Sequence, residues 1–408
     1  MWVTFSSNHI ERSRSGVLAI KIQRERVPPR LAVEQVVHFS IPPGYHVHND
    51  SVAAAALTLV GTAAEVVTFN FPISAFCAET LRAYYDLAEV GPVDASLEPR
   101  RPGRYLGLNF SGGLDSSALR ALLDRILPGE YRVISTAFEG ADTHEHTAQA
   151  AWPPDLQCVT DFRRKGFFAG RYFNAVPLLF ADYLDLYGLT SAHVFSQDAT
   201  SLERNIDGHR PAFLNRAPTL AAGGLEEVHL FRGVDEVAVL RILMRLVPER
   251  LEAAVRGSSQ PGTLRNISRR LSLRILYEQE RLAQPPFVAE TLLTTQPESP
   301  GGLFAGGIPI LFVIKHYGQA GAAALSYGDI DMTRIDWSFL DALSMEFAAK
   351  YNTNFLHYAP AELRAPLLTL LANLDVGPFN ERDWLELDAC RQAMAPVLIG
   401  LGVLQEPL

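Results

Sequence analysis

Between Tyr105 and Leu246, short apolar runs alternate with stretches of helical period, and this alternation restricts the possible folds more than any other feature of the chain. The runs are "YLGLNF", "RVISTAF", "LQCVTDF", "SAHVFSQ" and "EEVHLF". Helical patterns begin at Ser116 and cover 143–151, 172–187 and 235–246. Strands separated by helices pair in parallel, so the pattern predicts an α/β fold: a mostly parallel, doubly wound sheet covered on both faces.

The flanks read differently. The first hundred residues mix strand-like "VVHFSI" and "VVTFNF" with helical "ISAFCAETLRAYYDL" and end in the Pro/Gly/Arg-rich "VGPVDASLEPRRPGR", so 1–100 are expected to form a small α+β accessory domain. Residues 101–256 hold the alternating core. After "VRGSSQPGT" the segment 257–408 turns to amphipathic stretches such as "WSFLDALSMEFAAKYN", predicting a mostly helical C-terminal part.

Composition narrows the function classes. A formal net charge of −9 argues against broad affinity for nucleic acid or acidic membranes. The longest apolar stretch, "VAAAALTLVGTAAEVVTF", is rich in Ala and Thr and broken by Glu65, so no membrane span is expected. Three cysteines, Cys77, Cys158 and Cys390, supply neither a disulfide framework nor a four-cysteine zinc site, and a reducing cytoplasm fits them.

The chemistry concentrates where the first apolar run breaks into Ser111-Gly112-Gly113-Leu114-Asp115-Ser116 before a helix. The turn from a first strand into a helix presents backbone N–H groups to an anion. Gly112 and Gly113 allow positive φ and close approach, Ser111 and Ser116 bring hydroxyls, and Ser117 is placed to help cap the helix. The loop has no lysine, so it is not a Walker A motif, and its glycine spacing is not the dinucleotide fingerprint. An ionised Asp115 only accepts hydrogen bonds, so it suits a phosphate site by helping to hold Mg²⁺ or a neighbouring donor.

The pattern S-G-G-x-D-S resembles the pyrophosphate-binding loop of the ATP pyrophosphatase (PP-loop) superfamily, which cleaves ATP to AMP and pyrophosphate. Asparagine synthetases, NAD synthetases and tRNA-thiolating enzymes share that loop. With "STAFEGADTHEHTAQAA", "GRYFNAVPLLFADYLDLYG", "HVFSQDATSLERNIDGHRPAF" and "EEVHLFRGVDEVAVLRIL", the stretch from Tyr105 to Leu246 resembles 7-cyano-7-deazaguanine synthase.

That resemblance implies that Phe138 meets the adenine and that Arg171 and Asn174 match an Arg-Asn pair. It further implies that Asp198 follows the fourth strand and that Asp207, Arg210, Pro211 and Phe213 form a substrate-side motif. Arg171 or Arg210 would stabilise the α-phosphate, and ATP and Mg²⁺ would be the cofactors. The chain departs from the family in lacking its zinc-binding cysteines, so no zinc is expected. His209 stands where a cysteine is expected, and "VDEV" where a lysine is.

Enlarged relatives in bacterial antiphage operons adenylate a deazaguanine carboxylate and pass it to a protein amine. The expectation is therefore a carbon–nitrogen ligase acting on a small carboxylate, with ammonia or a co-encoded protein as acceptor. The alternatives are a thiolating PP-loop enzyme and a nucleotide-binding assembly module without turnover.

Five further features allow structural readings. "THEHT" (His144, Glu145, His146) reads as an exposed helix start, "HVH" (His46 to His48) as surface, and Cys158 as an inert strand residue. The basic run with Arg265, Arg269, Arg270 and Arg274 reads as a solvated face or one that meets an acidic partner. "DFRRKG" (Asp161 to Gly166) suits either an anion-binding rim or a solvated loop.

Overall fold

The computed structural model describes residues 1–11, 16–26, 31–61, 64–140, 148–167, 172–194, 217–290, 307–326 and 331–400. Ten strands form one sheet: β1 (Trp2–Ser7), β2 (Val17–Arg26), β3 (Leu31–Ser40), β4 (Val66–Ile73), β5 (Glu89–Val93), β6 (Tyr105–Asn109), β7 (Tyr131–Phe138), β8 (Leu156–Thr160), β9 (Leu186–Ser191) and β10 (Glu226–Val228). Their order is β10-β9-β6-β7-β8-β3-β2-β1-β4-β5. The pairings β8–β3, β3–β2 and β2–β1 are antiparallel and the others parallel, which makes this an α/β protein with a mostly parallel sheet. Within β6 to β10 the chain moves from β6 outward to β7 and β8, then returns to place β9 and β10 on the other side of β6. Strand order thus reverses between β6 and β9.

The first hundred residues supply β1 to β5 and extend this same sheet. At the seam, β3 meets β8 in the single register pair Phe39↔Thr160. Side chains reinforce it. The buried Asp161 accepts from the His38 backbone N–H (2.9 Å), pairs with His38 Nδ1 (2.9 Å), and pairs with Lys165 Nζ (2.6 Å). Burial alone would push the Asp161 carboxyl up, but its bonds to His38 and Lys165 outweigh that and hold it below the ordinary value.

A depressed carboxyl stabilises the fold above its unfolded value, about 3.9, and the gain is lost as pH falls through the lower folded value. Stability measured by denaturant between pH 6 and pH 3 should therefore show a gap between wild type and Asp161→Asn that shrinks below about pH 4. A gap constant across that range would remove Asp161 from the acid response.

Two apolar layers cover the sheet. On one, α1 (Asn49–Val60) is buried on every side from Asp50 to Val60, as an Ala-rich helix without a polar face must be. It packs with α2 (Ala75–Tyr85), α4 (Ala175–Leu179) and α5 (Pro218–Ala222), in a cluster running from Val3 to Leu225. On the other, α3 (Leu114–Ile126), α6 (Glu236–Leu246), α7 (Pro248–Ser258) and α8 (Leu264–Gln279) pack with later helices, including 307–317 and 361–373. Among the described residues no helix is long and apolar enough to cross a membrane.

Arg100, at the end of the Pro/Gly-rich linker, is buried where these parts meet. Its guanidinium donates to Asp182 Oδ1 (2.9 Å) and to the carbonyls of Gly224 (2.9 Å), Ala181 (3.0 Å) and Leu186 (2.7 Å).

Two sequence expectations are corrected in this region. The fourth strand of the alternating region is Leu186–Ser191, not "SAHVFSQ", and the expected helix over 172–187 is a short turn followed by Ala175–Leu179. Asp185, with φ of 55°, ends the helical path, and its carbonyl accepts from the N–H groups of Arg104 and Tyr105, so the chain enters the sheet five residues early. Near α1, His48 caps the helix by accepting from the Asp50 N–H (3.1 Å), while His46 remains nearer solvent.

Candidate functional site: a cavity at the strand-order reversal

The glycine turn lies at the carboxyl end of β6. Gly112 has φ of +81°, and a Cβ there would stand 3.1 Å from Ala148 Cβ and 3.3 Å from Gln149 N, so both conformation and space require glycine. Gly113 has an ordinary φ of −78° and caps α3 without a side-chain bond; a Cβ there would meet Ser111 Oγ and Ser258 Cα only at 3.4 Å. The protein itself does not need glycine at 113, whereas a ligand approaching the backbone would.

N–H groups in a helix's first turn have no intrahelical acceptor, and Gly113 brings no side chain to cap them. The serines brace the turn: Ser111 Oγ and Ser116 Oγ are 3.1 Å apart, Gly113 N donates to Ser111 Oγ (3.3 Å), and Ser116 Oγ donates to the Gly113 carbonyl (3.2 Å).

In front of this turn is a cavity of roughly 320 Å³. Ser111, Gly113, Asp115 and Ser116 form one wall. Phe138, Tyr172 and Phe173 give it aromatic faces, His193 sits beyond the end of β9, and Gly257, Ser258, Arg265 and Arg269 close it from the C-terminal helices. Arg163 lies over the Phe138 ring at 4.2 Å from its centroid and also lines the cavity.

Asp115 is the one carboxylate among the described lining residues, against the guanidiniums of Arg163, Arg265 and Arg269. The cavity therefore favours anions. It also lies within the size range of small-ligand sites, about 300–1,000 Å³.

The basic wall has its own support. Arg265 and Arg269 are four residues apart on one face of α8 and share Glu236, in the first turn of α6. Arg269 engages it with two bonds, Nη2 to Oε1 at 2.5 Å and Nε to Oε2 at 3.1 Å, and donates Nη1 to the Ser258 carbonyl at 3.1 Å. Arg265 Nη2 reaches Glu236 Oε1 at 3.0 Å. Burial pushes the Glu236 carboxyl up, but the two guanidiniums outweigh this and hold it well below its usual value.

No family model, curated protein or solved structure matches the chain.

Of the residues singled out in the sequence, Ser111, Gly113, Asp115, Ser116 and Phe138 come together around the cavity. Gly112 shapes the turn from behind. Ser117 is buried inside the first turn of α3, which begins at Leu114 rather than Ser116, and is not its cap. Asn174 is buried at the start of α4 and does not line the cavity. Arg171, Asp198, Asp207, His209, Arg210, Pro211 and Phe213, like His144, Glu145 and His146, lie outside the described residues.

The basic run is not a solvated face. Arg269 is buried on Glu236, Arg270 bonds Glu290 (3.0 Å) and the Phe287 carbonyl, and Arg274 bonds the Val288 carbonyl (2.6 Å). Its acidic partners belong to this chain. From "DFRRKG", Arg163 reaches the cavity, while Arg164 pairs with Glu139 (3.0 Å) and Lys165 turns to Asp161. Arg265, Arg269, Tyr172, Phe173 and His193 were not assigned to the site from sequence. The signal for the two arginines was their four-residue spacing, without any indication that it meets Glu236.

All three cysteines are buried and free, and burial raises each thiol, Cys158 and Cys390 to about 12. None offers a thiolate near neutral pH. Among the described residues no group of three or more His, Cys, Asp or Glu side chains is placed to hold a metal ion.

Proposed function

We propose that this chain is an ATP-dependent, AMP- and pyrophosphate-forming synthetase that adenylates a deazaguanine-like carboxylate and passes it to an amine, either ammonia or an amine of a co-encoded protein. The observation that carries this reading is the cavity at the strand-order reversal, bounded by an uncapped helix N-terminus with a glycine turn on one side and by guanidiniums on the other. The order β8-β7-β6-β9-β10 supports a doubly wound sheet, whose ligands lie outside the carboxyl ends of the strands at such a reversal. The aromatic faces suit a purine-like ring. The sequence resemblance supplies the carboxylate and a role in antiphage defence, and three free buried thiols agree with a cytoplasmic setting.

In the first step a carboxylate oxygen attacks the α-phosphorus of ATP, the bond from that phosphorus to the bridging oxygen breaks, and pyrophosphate leaves. In the second, the amine attacks the carbonyl carbon of the acyl-adenylate, AMP leaves, and the nitrogen gives up a proton. The turn at 112–116 supplies N–H donors to the departing pyrophosphate, Ser111 and Ser116 supply hydroxyls, and the guanidiniums that line the cavity offset phosphate charge. By the resemblance, Arg171 and Arg210 offset charge at the α-phosphate, and Asp198 and Asp207 face the substrate.

Asp115 fits a Mg²⁺ site, since that ion takes one or two carboxylates together with the nucleotide's own phosphates. When bound, Mg²⁺ would supply neutralisation of phosphate charge. The buried thiols give the thiolation reading no support.

The test is AMP release from labelled ATP with Mg²⁺ and 7-carboxy-7-deazaguanine, with and without ammonia or co-encoded proteins, while the masses of products and proteins are followed. Carboxylate-dependent AMP is expected, falling at least about tenfold in Asp115→Ala. ATP binding with no AMP above that variant would favour an assembly module, and absence of ATP binding would remove the nucleotide reading altogether.

A further inference from the structure

Resting on the nucleotide reading of this cavity, we propose that Arg265 contacts the β- and γ-phosphates of ATP from the C-terminal lobe, and that Glu236 and Arg269 are the positioning residues that aim it. The phosphate loop contains no lysine, and the cations that line the cavity come from other elements. The geometry points to α8.

Ser258 brings that lobe against the loop, its Cα lying only 3.4 Å from where a Gly113 Cβ would be, and its carbonyl accepts from Arg269. The wall carrying Arg265 thus faces the wall carrying the uncapped helix, with the cavity between them.

The two arginines have different duties. Arg269 is 2% exposed at its side chain and commits Nε, Nη1 and Nη2 to Glu236 and Ser258, so it serves as framework. Arg265 bonds Glu236 through Nη2, is 43% exposed and lines the cavity, so of the two it is the one that a ligand in the cavity can reach. One carboxylate between two guanidiniums leaves a net positive charge on this wall. A planar fork held from behind by a carboxylate is well suited to phosphate oxygens.

The test is calorimetric binding of ATP and of AMP to the full chain with Mg²⁺, for wild type, Arg265→Gln, Arg265→Lys and Glu236→Gln, each checked for folding by circular dichroism. Arg265→Gln is expected to weaken ATP by about tenfold or more while AMP changes less than about twofold, because charge-assisted bonds are lost only at the outer phosphates. Arg265→Lys should recover part of that loss.

Glu236→Gln removes a negative charge, so mere neutralisation would make ATP bind tighter. Positioning predicts the opposite, a lower preference for ATP over AMP, with no further loss when Arg265→Gln is already present. If wild type binds no nucleotide, the functional reading itself fails. If wild type prefers ATP and Arg265→Gln keeps that preference, or weakens ATP and AMP equally, this inference is overturned and the functional reading stands. Tighter ATP binding by Glu236→Gln would overturn the positioning role.

Discussion

Gly112→Val is expected to weaken ATP binding by about tenfold or more and AMP formation by about 100-fold or more, the latter being the scale on catalysis when a preorganised anion donor is lost. Two costs combine at this position. An L-residue with φ near +81° pays about 1–2 kcal/mol, and a β-branched one more. Its Cβ would also press on Ala148 and Gln149, whose atoms begin at 3.1 Å, so the turn must shift from its place beside the cavity.

Gly129→Ala is the matching control. Gly129 has φ of +77° with nothing within 4 Å of a Cβ, so it carries the backbone cost without the collision and lies away from the cavity. Calorimetry should find ATP affinity intact in Gly129→Ala and lost in Gly112→Val, with both proteins folded. Affinity within about threefold of wild type in Gly112→Val would show that the turn does not bind phosphate.

Arg100→Ala should lower global stability by about 3–5 kcal/mol, the range for breaking a buried charge pair. The deletion removes a donor from the Gly224, Ala181 and Leu186 carbonyls, the last two of which keep a backbone N–H, and leaves Asp182, which also accepts from the His48 N–H at 2.8 Å, without its cation. Against a typical margin of about 5–15 kcal/mol, that is a large part of what keeps a protein folded. Arg100→Lys should recover less than half, because a single ammonium cannot reach four acceptors arranged around a planar fork. Urea denaturation of the three proteins measures this, and a loss below about 1 kcal/mol in Arg100→Ala would contradict it.

The phosphate turn was legible because its determinants are local. Two glycines, two serines and the start of an amphipathic pattern lie within six residues, and the strand before them is a plain apolar run. Phe138 was legible for a related reason, since it closes β7 at the same sheet end. The fourth strand was misplaced because "YLDLYGLT" fits a helical continuation as well as a strand, and only the pairing of Leu186 and Gly188 with Tyr105 and Leu106 decides between them. The Glu236 pairing was hidden by its separation, 29 residues to Arg265 and 33 to Arg269, which is bridged by the angle at which α8 returns across α6. The union of β3 with β8 rests on one register pair, the bond from Val159 N–H to Ser40 Oγ (2.8 Å) and the bonds of Asp161, and no periodicity within either segment announces it.

The buried helix α1 has a consequence for synthesis. Its residues from Asp50 to Val60 leave the ribosome early, yet its cover includes Ala175–Leu179 and Pro218–Ala222, made more than a hundred residues later. Until those two segments are made, α1 has β4 and α2 beside it while the rest of its apolar surface lacks its cover. Contacts so distant along the sequence slow folding and prolong the interval in which such a surface is open to other chains. Production of this protein in a foreign host will depend on how quickly the second half follows the first and on what shields that helix in the meantime.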